Sequence, residues 1–207
     1  MADAHLPFAA IQALPDSYWE DEASVNGIWN GLLATAYPGT IAQAPAYVIQ
    51  PEGQALSSQS KRRNDLLVRQ IDGDPSRGKL IIRLAFEGKS SESSSTLLAA
   101  SGQLLEYLDK AGPTARGGDK VWCIVARGTK WKAYQYDGSK MWPLFLSGSK
   151  PSIATNGQEM DVKANPDVAL RWLSWFQANT GHRASMKKHH NENGVPDLWA
   201  ICAVKSE

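Results

Sequence analysis

The feature that most constrains this chain is a long apolar run, residues 80–86, that ends in an acid, Glu87. Such a run is typical of a strand buried in a sheet. A shorter apolar run, residues 66–68, is opened by another acid, Asp65. Turn-forming residues 72–78 lie between the two runs and predict an antiparallel hairpin. The hairpin would bring the two acids side by side.

Two ionised carboxylates at one end of a hairpin repel each other, by roughly 4 kcal/mol at about 4 Å and an effective dielectric constant near 20. A divalent cation reverses this energy, and Mg²⁺ or Mn²⁺ prefers oxygen ligands. Strand alternation puts Glu87 and Lys89 on one face and leaves the carbonyl of Gly88 available as a further ligand. The pattern predicts a metal site with Lys89 directed at an attacking water. The competing interpretation is a surface hairpin with solvated acids.

Periodicity predicts the elements around this hairpin. In chain order they are an amphipathic helix over 16–33 capped near 15–17, a strand over 46–50, the hairpin, a helix over 96–110, and strands over 121–126 and 131–136. A helix over 166–178 and a strand over 198–204 follow. The first part of the chain thus reads as helix, three strands, helix, two strands.

The acid, the hairpin spacer and the acid-x-Lys sequence resemble the signature of the PD-(D/E)XK, or restriction-endonuclease-like, nucleases. In this chain the signature stands as Asn64-Asp65 followed by Glu87-Gly88-Lys89. The resemblance implies that Asp65 and Glu87 bind Mg²⁺ or Mn²⁺, and that Lys89 orients or activates the attacking water. It also implies phosphodiester hydrolysis, with DNA favoured over RNA as the substrate.

The pair Gln103 and Tyr107 extends the resemblance. Their spacing puts both side chains on one face of the second helix, and it is similar to the Gln-x-x-x-Tyr motif of the RecB-like and lambda-exonuclease-like branch. The resemblance implies that the pair contacts the site or the phosphate backbone. It also implies an α/β fold with an αβββαβ core, in which a mixed central sheet is flanked by helices. One nuclease-like domain, 1–207, is expected, with a core over about 15–136 and the segment 166–205 completing it.

An acid on the first helix often helps to hold a metal in the resembled family. Glu22, one turn before Val25 and Asn26, is favoured for that role over Glu20. The alternative is that these acids are solvated and stabilised by the positive end of the helix dipole.

Two short basic clusters are candidates for contact with phosphates. Lys61, Arg62 and Arg63 directly precede the motif, and Lys187 and Lys188 lie in the C-terminal part. Both clusters predict nucleic-acid binding, with a plain solvated charged surface as the alternative. The formal net charge of +1 excludes a generic polyanion-binding coat, so any nucleic acid must meet local patches of charge.

A second acid-x-Lys sequence, Asp161-Val162-Lys163, lacks a long apolar strand before it and a helix with a partner pair after it. It is therefore interpreted as part of a loop. The two cysteines, Cys123 and Cys202, lie in strand-like apolar runs and cannot form a zinc set by themselves.

The N-terminal residues lack the features of a signal peptide, and no apolar run approaches membrane length. An intracellular protein without membrane contact is expected, with nucleus and cytoplasm not distinguished. Two other function classes stay open. One is a catalytically inactive module that keeps the nuclease fold and binds nucleic acid, and the other is a protein-interaction module anchored by some of the eight tryptophans.

Overall fold

The structure is a computed structural model that describes residues 8–39, 45–54, 63–72, 79–117, 120–147, 150–153, 157–179 and 200–201. Its helices are α1 (Phe8–Ala13), a 3-10 helix (Asp16–Glu20), α2 (Glu22–Ala36), α3 (Leu97–Ala115) and α4 (Pro166–Ala178). Its strands are β1 (Tyr47–Gln54), β2 (Arg63–Asp72), β3 (Lys79–Lys89), β4 (Val121–Arg127), β5 (Lys130–Tyr136), β6 (Met141–Ser147), β7 (Lys150–Ile153), β8 (Met160–Asp161) and β9 (Ala200–Ile201). None of the helices in these ranges has the length and apolar character needed to cross a membrane.

The strands pair in the order β1-β2-β3-β4-β5-β6-β7-β9, with β8 added to β5. β3 and β4 are parallel, whereas the other paired strands are antiparallel. A parallel pair needs a crossover connection, and α3 supplies it between β3 and β4. Helices pack against both faces of the sheet, so the predicted mixed sheet flanked by helices is confirmed.

The sheet separates two apolar cores. The first core combines side chains of α2 and α4 with Leu84 and Phe86 of β3. The second core combines side chains of α3 with Ala85 of the same strand. Because side chains alternate along a strand, Glu87 and Lys89 follow Ala85 toward the α3 side, and position 88 faces α2.

The predicted β2–β3 hairpin is confirmed. The two strands pair antiparallel from Leu66, which lies opposite Phe86. Residues 73–78, which connect them, lie outside the described part of the chain. Asp65 and Glu87 come next to each other just beyond the first pair, at one end of the hairpin.

The predicted helix over residues 16–33 is wrong in its start. A 3-10 helix, Asp16–Glu20, comes first, and α2 begins only at Glu22. The break lies at Asp21, whose backbone is extended and whose carboxylate accepts hydrogen bonds from the Ser24 N–H at 2.9 Å and hydroxyl at 2.8 Å. Asp21 therefore caps α2, in place of the predicted cap near residues 15–17.

The remaining predicted elements agree with the structure where it describes them. α3 follows Thr96, which caps it, and is broken at Gly112, whose φ of 74° favours glycine. β4, β5 and α4 occupy the predicted ranges. Of the last predicted strand, only Ala200–Ile201 is described.

An aromatic column attaches α2 to the sheet. The ring of Trp29 lies 5.3 Å from that of Phe86 in β3 and 5.2 Å from that of Trp131 in β5, measured between centroids. Trp131 in turn lies 6.1 Å from Trp172 of α4. Aromatic pairs at these distances add to the stabilisation that burial provides. The column fixes α2 against β3 one residue before Glu87.

Replacing Trp29 by Ala tests this attachment. Because Trp29 is completely buried, Trp29→Ala is expected to lower the free energy of unfolding by about 3 to 5 kcal/mol. Leu98→Ala, at a side chain that is 80% exposed, is the control and should change it by less than about 0.5 kcal/mol. Urea denaturation followed by tryptophan fluorescence and circular dichroism measures both. Equal losses in the two variants would contradict the assigned packing.

Candidate metal centre

Four predicted site residues converge at the end of the β2–β3 hairpin. Lys89 Nζ lies 2.9 Å from Glu87 Oε1 and 3.5 Å from Glu22 Oε1. The backbone N–H of Gly88 donates a hydrogen bond to Asp65 Oδ2 at 2.6 Å. Asp65, Glu87, Lys89 and Glu22 therefore form one cluster, and Gly88 is bound directly to it.

Backbone hydrogen bonds fix the end of β3 against the start of α2. The Ser91 N–H donates to the carbonyl of Trp19 at 2.8 Å, which ties the chain after β3 to the 3-10 helix before α2. The Gly128 N–H donates to the carbonyl of Lys89 at 2.8 Å, which ties β3 to the β4–β5 turn. The cluster thus rests on backbone contacts as well as on its own side chains.

Burial changes the acid strength of the two central carboxylates. The Glu87 side chain is only 6% exposed; its burial and the nearby charge of Asp65 raise the pKa of Glu87 to about 7. Burial also raises the pKa of Asp65, although the Gly88 N–H and the Lys89 charge oppose this. The pair therefore carries a proton more readily than solvated acids do.

Lys89 is the cation that this cluster already contains. Its burial favours the neutral amine, but the hydrogen bond to Glu87 and the negative charges of Glu87, Asp65 and Glu22 outweigh burial and raise the pKa of Lys89. One ammonium group thus faces three carboxylates. When all three acids are ionised, the cluster keeps an excess of negative charge.

The donor set fits a hard divalent cation held by two carboxylates. Mg²⁺ is commonly bound through one or two carboxylates, with waters and substrate phosphates as its other ligands. Asp65 and Glu87 supply such a pair. Within the described ranges, no three Asp, Glu, His or Cys residues are placed to hold a metal together. The contact given for Glu22 is with Lys89, so the structure does not place Glu22 as a third ligand beside Asp65 and Glu87.

The Gln103 and Tyr107 side chains are not brought to this cluster. Gln103 is exposed on α3. Tyr107 is 2% exposed in the second core, and its hydroxyl lies near Arg69 without a well-aligned hydrogen bond. Arg69 follows Asp65 by four positions along β2, which is about 13 Å at the strand rise.

The reason lies in the direction of α3. The helix begins near the end of β3 and runs back along the sheet to the start of β4. At 1.5 Å per residue, Tyr107 lies about 15 Å along the helix axis from Leu97. Gln103 and Tyr107 lie one turn apart on α3, but the first side chain is exposed and the second is buried, and the direction of the helix carries the tyrosine away from the carboxylates.

The predicted nucleic-acid-binding residues fall mostly on undescribed parts of the chain. Lys61, Arg62, Lys187 and Lys188 lie outside the described residues. For Arg63 the structure describes the backbone, which opens β2.

The second acid-x-Lys sequence, residues 161–163, makes contacts with the β4–β5 turn, with its own turn and with the 3-10 helix. The Asp161 carboxylate accepts hydrogen bonds from the Thr129 hydroxyl at 3.1 Å, the Lys130 ammonium at 3.0 Å and the Ala164 N–H at 2.9 Å. Lys163 bonds to Asp16 at 2.6 Å. Asp161 is the last residue of β8 and pairs with Lys130, so the loop interpretation is wrong for Asp161, whereas Val162 and Lys163 lie in the turn that follows.

Sequence reasoning missed two residues near the cluster. The Asn26 side chain lies beside the Asp65 carboxylate and lowers its pKa, and its position one turn after Glu22 is the signal that could have indicated it. Arg127 donates from Nε and Nη2 to the carbonyl of Ser93 at 3.1 and 2.9 Å. This second contact fixes the serine-rich segment after β3, and no sequence pattern predicts it.

Comparison of the chain with protein-family models, with curated proteins and with solved structures found no match.

The raised pKa of Glu87 predicts how stability depends on pH. Between the ordinary value of 4.5 and about 7, the folded protein keeps a proton that the unfolded chain has released. Stability therefore falls as the pH rises through this window, by a total on the order of 3 kcal/mol. Glu87→Gln cannot ionise, so its free energy of unfolding should not show this fall between pH 4.5 and about 7.

Urea unfolding in chelator at pH 5 and pH 8 measures the effect. The variant is expected to be more stable than the wild type at pH 8 and nearly equal to it at pH 5. If the free energy of unfolding depends on pH in the same way in both proteins, the raised pKa of Glu87 is contradicted.

Proposed function

We propose that this protein is a metal-dependent nuclease with a restriction-endonuclease-like core, and that it hydrolyses phosphodiester bonds of DNA in preference to RNA. The observation that carries the proposal is the buried pair of Asp65 and Glu87 at one end of the β2–β3 hairpin, with the Lys89 ammonium in contact with Glu87. Buried acids held together against their repulsion are characteristic of functional sites.

The arrangement of elements supports the core. The sequence α2, β1, β2, β3, α3, β4 has the αβββαβ order that the resemblance implies. The antiparallel β1-β2-β3 unit is followed by the α3 crossover to the parallel strand β4. The proposed site lies at the end of β3 from which this crossover starts.

Asp65 and Glu87 would hold Mg²⁺ or Mn²⁺. When bound, the ion supplies a Lewis acid at the scissile phosphate. The Lys89 ammonium donates a hydrogen bond either to the attacking water, which it orients, or to a phosphate oxygen, whose negative charge it balances. Glu87 holds this ammonium at 2.9 Å, and Glu22 contacts it at 3.5 Å. These two contacts keep Lys89 beside the reacting phosphate.

A row of cations supports a polyanionic substrate. Lys89 lies in register with Arg127 of β4, and Arg127 lies opposite Lys130 of β5. Lys130 is exposed, with an ion pair to Asp161. The row leads from the carboxylates across β4 and β5. Successive phosphates of a nucleic-acid strand that follows this direction would meet positive charge.

Replacing Lys89 by Ala tests the proposed chemistry. Lys89→Ala is expected to reduce cleavage at least about a hundredfold, because charge balance and water orientation are lost. Labelled single-stranded DNA, duplex DNA and RNA are incubated with Mg²⁺, Mn²⁺ or chelator, and the products are resolved by gel electrophoresis. Wild-type cleavage should require the metal.

Lys163→Ala is the matched control, because Lys163 belongs to the other acid-x-Lys sequence and is bound to Asp16. It should cleave at the wild-type rate. Unchanged cleavage by Lys89→Ala would contradict the proposal. Binding of DNA that ignores chelator, without any cleavage, would replace it with the inactive nucleic-acid-binding module.

A further inference from the structure

Asn26 makes an unusual contact between α2 and the cluster. Its side-chain amide lies beside the Asp65 carboxylate and lowers the pKa of that acid. Its other polar atom, Oδ1, is buried and has no hydrogen-bond partner. A buried carbonyl oxygen without a donor is costly, so the position of Oδ1 requires a reason.

The reason lies at Gly88. A Cβ atom added to Gly88 would lie only 2.1 Å from Asn26 Oδ1, while the next nearest atom, Phe86 Cε1, would be at 3.0 Å. Oδ1 therefore occupies the space that any other side chain at position 88 would fill. Oδ1 is therefore in close contact with the backbone of Gly88.

Asp65 is held from two sides by these two residues. The Gly88 N–H donates to Asp65 Oδ2, and the Asn26 amide lies beside the same carboxylate, where it lowers the pKa of Asp65. With the amide turned over, its oxygen would face the carboxylate, and its NH₂ group would face a C–H. The chemistry of the contacts thus fixes the orientation of Asn26.

We infer that Asn26 is a positioning residue which, together with Gly88, holds the Asp65 carboxylate in the orientation that binds the divalent cation. The inference rests on the proposed function for the cation itself. A carboxylate has about four lone-pair sites, so the hydrogen bond from Gly88 leaves acceptor capacity for a metal. Gly88 has a structural role here, because its missing side chain admits the Asn26 amide.

The affinity for Mn²⁺ measures positioning without any cleavage. Asn26→Ala is expected to weaken Mn²⁺ binding about tenfold or more, as the loss of partners that orient metal ligands typically does. Asn30→Ala, at an exposed residue one turn further along α2, is the matched control and should bind as the wild type does. Isothermal titration calorimetry on the full chain gives the dissociation constants.

The contact itself is tested in chelator by a cycle of Asn26→Ala, Gly88→Ala and the double variant. Gly88→Ala alone should lower the melting temperature by about 5 °C, because the added methyl group displaces the Asn26 amide. In the Asn26→Ala background the same change should cost no more than about 2 °C, because the colliding oxygen is gone.

The outcomes separate the two proposals. Wild-type binding of Mn²⁺ with equal affinity in Asn26→Ala overturns the positioning role and leaves the proposed metal site standing. Additive melting shifts in the cycle overturn the Asn26–Gly88 contact. Failure of the wild-type protein to bind Mn²⁺ overturns the metal site and, with it, the inference.

Discussion

The repulsion between Asp65 and Glu87 is the constraint on which the site depends. The two carboxylates are buried next to each other, and burial raises the pKa of both. Lys89 compensates part of this charge through its 2.9 Å contact with Glu87. Bringing ionised acids out of water in this way is unfavourable unless a cation or a proton accompanies them. In this pair, a bound proton or a bound cation would balance the remaining negative charge.

The fold holds these groups in place through contacts that are mostly apolar or backbone. The aromatic column from Phe86 through Trp29 to Trp131 sets α2 against β3 and β5. Gly88 then lets α2 approach the end of β3, since a side chain there would collide with Asn26. Packing energy in the first core is thus what positions the polar residues of α2 at the carboxylates.

The sequence predicts the hairpin, its two acids and the lysine well, because strand period, turn residues and charge are local properties. It predicts the start of α2 poorly. Residues 16–20 have helical apolar spacing, but the extended backbone of Asp21 and its bonds to Ser24 restart the helix. The hydrogen bonds between Asp21 and Ser24 interrupt the single helix that the apolar spacing predicts.

Tertiary geometry accounts for the other differences. The spacing of Gln103 and Tyr107 identifies a helical face, but only the direction of α3 decides which part of the sheet that face meets. The role of Asn26 depends on the distance between α2 and β3. Such features come from packing between segments distant in sequence, which no local pattern encodes.

Crystals of the protein grown or soaked with Mn²⁺ and measured near the manganese absorption edge test the central claim most directly. We expect an anomalous peak about 2.0 to 2.3 Å from oxygen atoms of both Asp65 and Glu87. A peak elsewhere, such as at Asp161, or no peak at a Mn²⁺ concentration that supports cleavage, would contradict the assignment of this pair as a metal site.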